Sequence, residues 1–94
     1  MRVVYAPASL RDLAEIGDYI AFDSRGRART FVVELRAACR SLAADSRRYP
    51  YQQELTDIRR MPVGNCLVLY RVLEDSVRII RVIHAARDIG SLTL

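Results

Sequence analysis

The sequence predicts an α+β fold in which an antiparallel helical hairpin packs on one face of a small, mainly antiparallel sheet. The chain has 94 residues, which suits a single domain spanning 1–94. After a short apolar strand, the first half carries apolar residues at helical spacing, whereas the second half carries them at strand spacing. The predicted order of elements is therefore β-α-α-β-β-β.

The first two elements are a strand and a helix. The apolar run "RVVY" at 2–5 predicts the strand, and the segment "APAS" ends it. Ser9 followed by Asp12 resembles a capping box, which would start a helix. Apolar residues then recur at helical spacing over 10–22 and give that helix one apolar face.

A turn and a second helix follow. The segment "DSRGR" at 23–27 predicts a turn in which Gly26 can take positive φ and Asp23 or Ser24 can cap the next helix. Apolar spacing predicts that helix over 27–44, with its arginines in solvent. Two amphipathic helices joined by so short a turn form an antiparallel hairpin.

The period of the apolar pattern changes from 3.6 to 2 after the irregular stretch at 45–57, where Pro50 excludes a helix. Three strands are predicted, at 58–63, 65–72 and 77–84. Val63-Gly64 separates the first two and "LEDS" the last two, so these strands form a meander.

Strict alternation assigns the side chains of the last two strands to two faces. In 65–72 it places Cys66, Val68, Tyr70 and Val72 opposite Leu67, Leu69 and Arg71. In 77–84 it places Ile79, Arg81 and Ile83 opposite Arg78, Ile80, Val82 and His84. Both faces are partly apolar, although a helical hairpin covers only one. The second face either carries ordinary exposed aliphatic residues or is covered by a partner.

The amino-acid composition limits the reaction mechanisms, partners and metal sites that the protein can have. The formal net charge is +4, and all fifteen basic residues are arginines, so a lysine-dependent mechanism is excluded. This balance suits an acidic partner such as nucleic acid, a nucleic-acid enzyme or an acidic protein segment. The two cysteines, Cys39 and Cys66, lack metal-ligand spacing, and the single histidine, His84, cannot complete a usual zinc site. We therefore expect no metal, no cofactor and two buried free thiols.

The same composition bears on location. The N-terminal segment has no signal-peptide apolar core, and no run approaches the ~18 apolar residues of a membrane span. Free thiols fit a reducing compartment. We expect a cytoplasmic protein that does not associate with membranes.

Three strings resemble toxins of the RelE/ParE superfamily, whose fold has the predicted order. "LRDLAEIGDYI" at 10–20 resembles the first helix of ParE-type toxins, and "IRRMPVGNCLVLYRV" at 58–72 resembles their arginine-rich strand pair. "IIRVIHAARD" at 79–88 resembles their closing strand, which typically follows R-V-x-H-x-x-R-D. The similarity covers nearly the whole chain, and the last string is the most specific.

The resemblance implies a toxin of a type II toxin–antitoxin pair. ParE-type toxins are not enzymes; they poison DNA gyrase, trap it on cleaved DNA and block replication, a role linked to plasmid stabilisation. The cognate antitoxin would neutralise the toxin with an acidic, partly disordered C-terminal segment. Its N-terminal domain would bind operator DNA, so the toxin would meet that DNA only indirectly. A non-toxic co-repressor that only binds the antitoxin is a further alternative.

The RelE-type branch of the superfamily instead implies a ribosome-dependent endoribonuclease that cuts messenger RNA. Such chemistry needs a base, cations for the phosphate and an acid. Glu54 would be the base, Arg60 (or Arg59) with Arg71 the phosphate clamp, and His84 the acid. His84 has two further interpretations, as a hydrogen-bonded scaffold residue and as a contact with the target or antitoxin.

For the ParE-type alternative, binding to the target or antitoxin is assigned to arginines and apolar residues of the strands and the C-terminal string. Only one residue of the Arg59-Arg60 pair can face the core, which leaves the other for a partner. The complete set of predicted binding residues is Arg59, Arg60, Leu67, Leu69, Arg71, Arg81, Arg87 and Asp88.

Overall fold

The computed structural model describes residues 1–52 and 57–85. In chain order, the elements are β1 (Arg2–Tyr5), α1 (Pro7–Ala21), α2 (Arg25–Ser41), β2 (Arg59–Val63), β3 (Cys66–Val72) and β4 (Ser76–His84). The predicted order and the α+β class are confirmed. Within the described ranges, no helix is long and apolar enough to cross a bilayer.

Helix α1 begins earlier than its apolar pattern indicates. Pro7 stands in its first turn, where a missing N–H removes no helical hydrogen bond, and Ala6 is the N-cap. The Ser9 hydroxyl donates to the Ala6 carbonyl at 2.7 Å. The predicted capping box of Ser9 and Asp12 is therefore wrong, because Ser9 lies inside the helix and Asp12 bonds elsewhere.

Helix α2 begins directly after a short turn. The Ser24 side chain accepts from the Arg27 N–H at 3.2 Å, which confirms the cap predicted at 23–24. The N–H groups of Asp23 and Ser24 both donate to the Ile20 carbonyl and close the end of α1. Since α2 starts at Arg25, Gly26 lies in its first turn and does not take the positive φ that glycine allows.

The four strands form one mixed sheet in the order β1-β4-β3-β2. β1 runs parallel to β4, whereas the pairs β3–β4 and β2–β3 are antiparallel. Gly64 lies in the turn between β2 and β3 and has a φ of 55°, a value that glycine adopts without strain. The helices cover one face, and their buried side chains pack with those of the strands into one core: Leu13, Ile16, Leu35, Cys39, Leu42, Met61, Cys66, Val68, Tyr70, Val77, Ile79 and Val82.

A β-bulge in β4 changes which side chains reach that core. Leu69 pairs with Arg81, but the next residue, Tyr70, pairs with Ile79, so Ile80 is an extra residue in the ladder. Ile79 consequently shares the core face with Val82, and Arg78 shares the opposite face with Arg81. The faces predicted for Arg78 and Ile79 are wrong because strict alternation assumes an uninterrupted pairing.

Asp12 joins α1 to β4 beyond the point where β1 ends. Its Oδ2 accepts from the Val82 backbone N–H at 2.9 Å. The Arg81 guanidinium meets the same carboxylate with both arms, Nε to Oδ2 at 2.7 Å and Nη2 to Oδ1 at 3.0 Å. The Asp12 side chain is only 13% exposed, against 45% for Arg81. One carboxylate therefore satisfies a strand amide and fixes the position of α1.

We predict that the amide contact matters more to stability than the ion pair. Asp12→Ala removes both and should lower the free energy of unfolding by about 2–3 kcal/mol, since a part-buried N–H loses a charged acceptor. Arg81→Ala removes only the half-exposed ion pair and should cost about 0.5–1 kcal/mol. Urea unfolding of both variants measures the difference. Equal losses would mean that the ion pair, not the strand amide, holds α1.

Candidate functional site

Among residues 1–52 and 57–85, four arginines lie on the sheet face opposite the helices, which we call the arginine face: Arg60, Arg71, Arg78 and Arg81. The strand register brings them there in two rows. Arg60 and Arg81 flank Leu69 from the two neighbouring strands, and Arg71 pairs directly with Arg78. Directly paired residues share a face, so this placement follows from the register.

The arginines of this face differ in what they already contact. Arg60 and Arg78 are exposed. Arg71 is half-buried, and its Nε lies 2.9 Å from Asp57 Oδ2 in an ion pair that lacks hydrogen-bond alignment. Arg81 is held by Asp12. Arg60 and Arg78 therefore present the most accessible positive charge of the set.

The apolar residues of the same face are less available than the sequence suggested. Leu69 is fully buried and Ile83 is 5% exposed, although neither belongs to the main core. Leu67 is half-buried and pairs with Ile83. Of the two leucines predicted to bind a partner, only Leu67 retains surface, and the accessible character of this face is mainly cationic.

Arg59 serves the chain itself. It lies on the core side of β2, and its Nη1 donates to the carbonyls of Arg47 (3.3 Å) and Tyr49 (2.6 Å). Its Nη2 donates to the Tyr51 hydroxyl at 3.1 Å, and the guanidinium lies 4.2 Å from the centroid of that ring. These contacts hold the loop before β2, which the Tyr70 hydroxyl also binds through the Ser46 carbonyl at 2.8 Å. The prediction that only one residue of the Arg59-Arg60 pair faces the core is confirmed.

His84 lies on the core face, where it pairs with Cys66 and is 8% exposed. Its ring centroid is 5.7 Å from that of Tyr19, at an interplanar angle of 57°. The imidazole borders a cavity of about 530 Å³ between the start of α2 and the β2–β3 turn. Polar residues at this cavity that the sequence analysis did not single out are Arg27, Thr30, Glu34 and Asn65.

The residues proposed for ribonuclease chemistry are not assembled in the described chain. Arg60 and Arg71 lie on the arginine face, whereas His84 lies on the helix-covered face. Along β3, Arg71 is also five residues, about 17 Å, from the position opposite His84. Glu54 lies outside the described residues, as do Arg87 and Asp88. Residues 1–52 and 57–85 contain no cluster of three or more metal-ligating side chains.

Comparison with known proteins gives the family. The family described as "ParE toxin of type II toxin-antitoxin system, parDE" matches residues 3–89, nearly the whole chain. The chain belongs to the ParE toxin family. It is therefore a type II toxin, which confirms the resemblance carried by its strand sequences. No curated protein matches the sequence significantly.

Solved structures share the fold of this ParE-family chain. A chain of the chromosomal ParDE toxin–antitoxin system from P. aeruginosa matches with a TM-score of 0.78 at 17% identity, over 89% of this chain and 95% of that one. The RelBE2 toxin–antitoxin complex from Mycobacterium tuberculosis matches at 0.63 and 26%, over 88% of both chains. The RelB–RelE complex from Methanococcus jannaschii matches at 0.60 and 16%, over 95% and 98%.

A second polar cluster of the ParE-family chain lies beside β1. Burial, together with the neighbouring Cys39, raises the pKa of Tyr5 to about 12. Burial also raises the pKa of the Cys39 thiol, so this cysteine stays protonated and unreactive at neutral pH. The Arg36 guanidinium lies 5.0 Å from the centroid of the Tyr5 ring. Sequence reasoning expected Arg36 and Arg40 in solvent, where they are, but not that they border β1.

We predict that Tyr5 makes the toxin sensitive to alkaline pH. Its phenol loses a proton near pH 10 in the unfolded chain but near pH 12 in the folded one. The unfolded state therefore holds fewer protons between these values, and stability falls as pH rises from 10 to 12. Tyr5→Phe should make the decline shallower, as measured by urea unfolding across this range. A decline of unchanged slope would contradict the assignment to Tyr5.

Proposed function

We propose that this toxin inhibits DNA gyrase by binding through the arginine face and without chemistry of its own. The observation that carries the proposal is the family match over residues 3–89. Gyrase acts on DNA in the cytoplasm, where we expect the toxin to act. The role needs a surface that stabilises the gyrase–DNA cleavage complex, not a set of catalytic groups.

The arginine face has the chemistry for such binding. Exposed Arg60 and Arg78 present guanidinium forks that suit carboxylates of an enzyme surface or phosphates of its DNA. The ion pair of Arg71 with Asp57 involves a carboxylate that is 64% exposed, so an acidic group of the target can exchange with it at low cost. The arginine face therefore presents accessible positive charges, and the strand pairing of the sheet fixes the spacing between them.

The geometry of the alternative ribonuclease set also supports a binding mechanism. A phosphate held between Arg60 and Arg71 would lie across the sheet from His84, so the histidine could not protonate its leaving oxygen. Since His84 is buried against Tyr19 and Cys66, a role in shaping the core accounts for its position.

We further propose that a cognate antitoxin neutralises this toxin with an acidic segment. The similar solved structures come from toxin–antitoxin systems, and the +4 charge of this chain favours an acidic partner. The helical hairpin also leaves apolar side chains exposed, Phe22 to 92% and Val33 to 66%. Operator DNA would be reached only through the antitoxin.

A gyrase assay with relaxed plasmid and ATP tests the target. Titration of the purified toxin should convert part of the plasmid to linear, protein-linked DNA, because a poison traps the cleaved intermediate. Unaffected supercoiling by a folded toxin would contradict the proposal. Cleavage of messenger RNA in ribosomes by the same preparation would instead support the ribonuclease alternative, and loss of that cleavage in His84→Ala would identify His84 as its acid.

Substitutions on the arginine face test the surface. Arg60→Ala/Arg78→Ala should raise the toxin concentration needed for half-maximal cleavage by about tenfold, since two exposed charges at the centre of a contact are lost. The matched control is Arg11→Ala/Arg29→Ala, which removes two exposed arginines from the helices and should leave the titration unchanged. Equal effects of the two double variants would mean that net charge, not this face, governs inhibition.

A further inference from the structure

The segment before β2 is bound to the edge of the sheet through its backbone. The Arg60 N–H donates to the Pro50 carbonyl at 3.0 Å. The next residue, Tyr51, forms an antiparallel bridge with Arg59. Because directly paired residues share a face, the Tyr51 side chain lies with that of Arg59 on the helix side of the sheet, beyond β2.

Side-chain donors fix the preceding residues of the same segment. Arg59 Nη1 donates to the carbonyls of Arg47 and Tyr49, at 3.3 and 2.6 Å, and the Tyr70 hydroxyl donates to the Ser46 carbonyl at 2.8 Å. These bonds use carbonyl groups of the segment and leave the Arg47 side chain exposed. An irregular stretch of chain therefore has a defined backbone and can present its side chains in fixed positions.

Those side chains form a surface of tyrosines and arginines, which we call the tyrosine–arginine loop: Arg47, Arg48, Tyr49 and Tyr51. Arg47 and Arg48 are exposed, and the Arg48 guanidinium lies 5.3 Å from the centroid of the Tyr49 ring. The Arg59 guanidinium lies 4.2 Å from the centroid of the Tyr51 ring. It covers only one face of that ring, and Tyr51 is still 51% exposed, so the outer ring face is accessible.

A single-stranded nucleic acid fits both parts of this surface. Residues 45–52 contain two arginines and one acid, Asp45, so the loop attracts phosphates. An unpaired base can stack on the outer face of Tyr51, a ring that the Arg59 cation already supports from the other side. An acidic peptide would use the arginines but not the ring face, and a duplex keeps its bases stacked inside.

We propose that the tyrosine–arginine loop binds single-stranded DNA, with a base stacked on Tyr51 and phosphates held by Arg47 and Arg48. Arg59 is a positioning residue, since it holds both the loop backbone and the Tyr51 ring. The choice of DNA over RNA rests on the proposed target, because gyrase cuts DNA and bases at a cut end unpair at lower cost than bases inside a duplex. Binding itself does not depend on gyrase.

Fluorescence anisotropy with the purified toxin and a fluorescein-labelled strand of twelve thymidines tests the binding. Affinity should fall between about 50 and 200 mM salt with a logarithmic slope of at least about −1.4, the value for two phosphate contacts on a single strand. A duplex of the same length should bind at least about tenfold more weakly. Equal binding of the duplex overturns the proposal, as does displacement of the strand by an equal concentration of polyglutamate. An RNA strand of twelve uridines that binds tenfold more tightly would assign the loop to RNA and also overturn it.

Substitutions of Tyr51 test the stacking. Tyr51→Leu keeps the charges and an apolar side chain but removes the ring, and should weaken binding about tenfold with an unchanged salt slope. Tyr51→Phe loses only the hydroxyl that Arg59 binds and should keep wild-type affinity. The matched control is Phe22→Leu, which removes an exposed ring from the helices and should bind like the wild type. Wild-type affinity of Tyr51→Leu overturns the stacking.

Substitutions of the two arginines test the phosphate contacts. Arg47→Gln/Arg48→Gln should weaken binding at low salt about tenfold and make the salt slope shallower by about 1.4. The control Arg11→Gln/Arg29→Gln carries the same net charge and should change neither quantity. Equal slopes for the two double variants would mean that net charge alone attracts the strand, and would overturn the proposal whether or not Tyr51→Leu folds.

The outcomes separate this inference from the proposed target. A toxin that poisons gyrase but does not bind the thymidine strand would overturn the loop proposal and leave gyrase as the target. A toxin that binds the strand with the expected dependence on Tyr51, Arg47 and Arg48, but leaves gyrase unaffected, would overturn the target and support the loop as a DNA-binding surface.

Discussion

Strand β4 has a bulge at Ile80, and beyond it the neighbour on one side changes from β1 to the Asp12 side chain of α1. Both faces of the sheet depend on this change. Up to Ile79 the strand is bordered by β1, whose last backbone contact comes from Ala6. Beyond the bulge, the Asp12 carboxylate of α1 takes the Val82 amide that β1 no longer reaches. A parallel strand can therefore end early without leaving a part-buried N–H unsatisfied, and α1 is fixed at the same point.

The bulge also sets the charge pattern of the outer face. If β4 alternated strictly, Arg78 and Arg81 would point to opposite sides, and one guanidinium would enter the core. The extra residue instead places both on the face that the helices leave open, opposite Arg71 and Leu69. The core gains Ile79 in exchange. One inserted residue thus reconciles a dense apolar core with a cationic surface on the same strand.

The sequence predicted the order of elements because apolar periodicity depends on local spacing, and each helix and strand has enough residues to display it. It also predicted that Arg59 and Arg60 could not both face the core. The bulge at Ile80 and the contact of Asp12 with Val82 were not predictable in this way, since both arise from pairing between residues far apart in the chain. Asp12 was predicted to belong to a capping box because Ser9 lies three residues before it. Its actual backbone partner, Val82, lies 70 residues away in the chain.

The position of the exposed apolar residues constrains how the proposed neutralisation can work. Phe22 and Val33 are exposed on the helices, whereas Arg60 and Arg78 lie on the sheet face opposite the helices. An antitoxin that bound the helices alone would leave the side chains of the arginine face uncovered. It would stop the proposed inhibition either through its bulk, which would exclude a much larger target, or through a further segment that reached round the sheet.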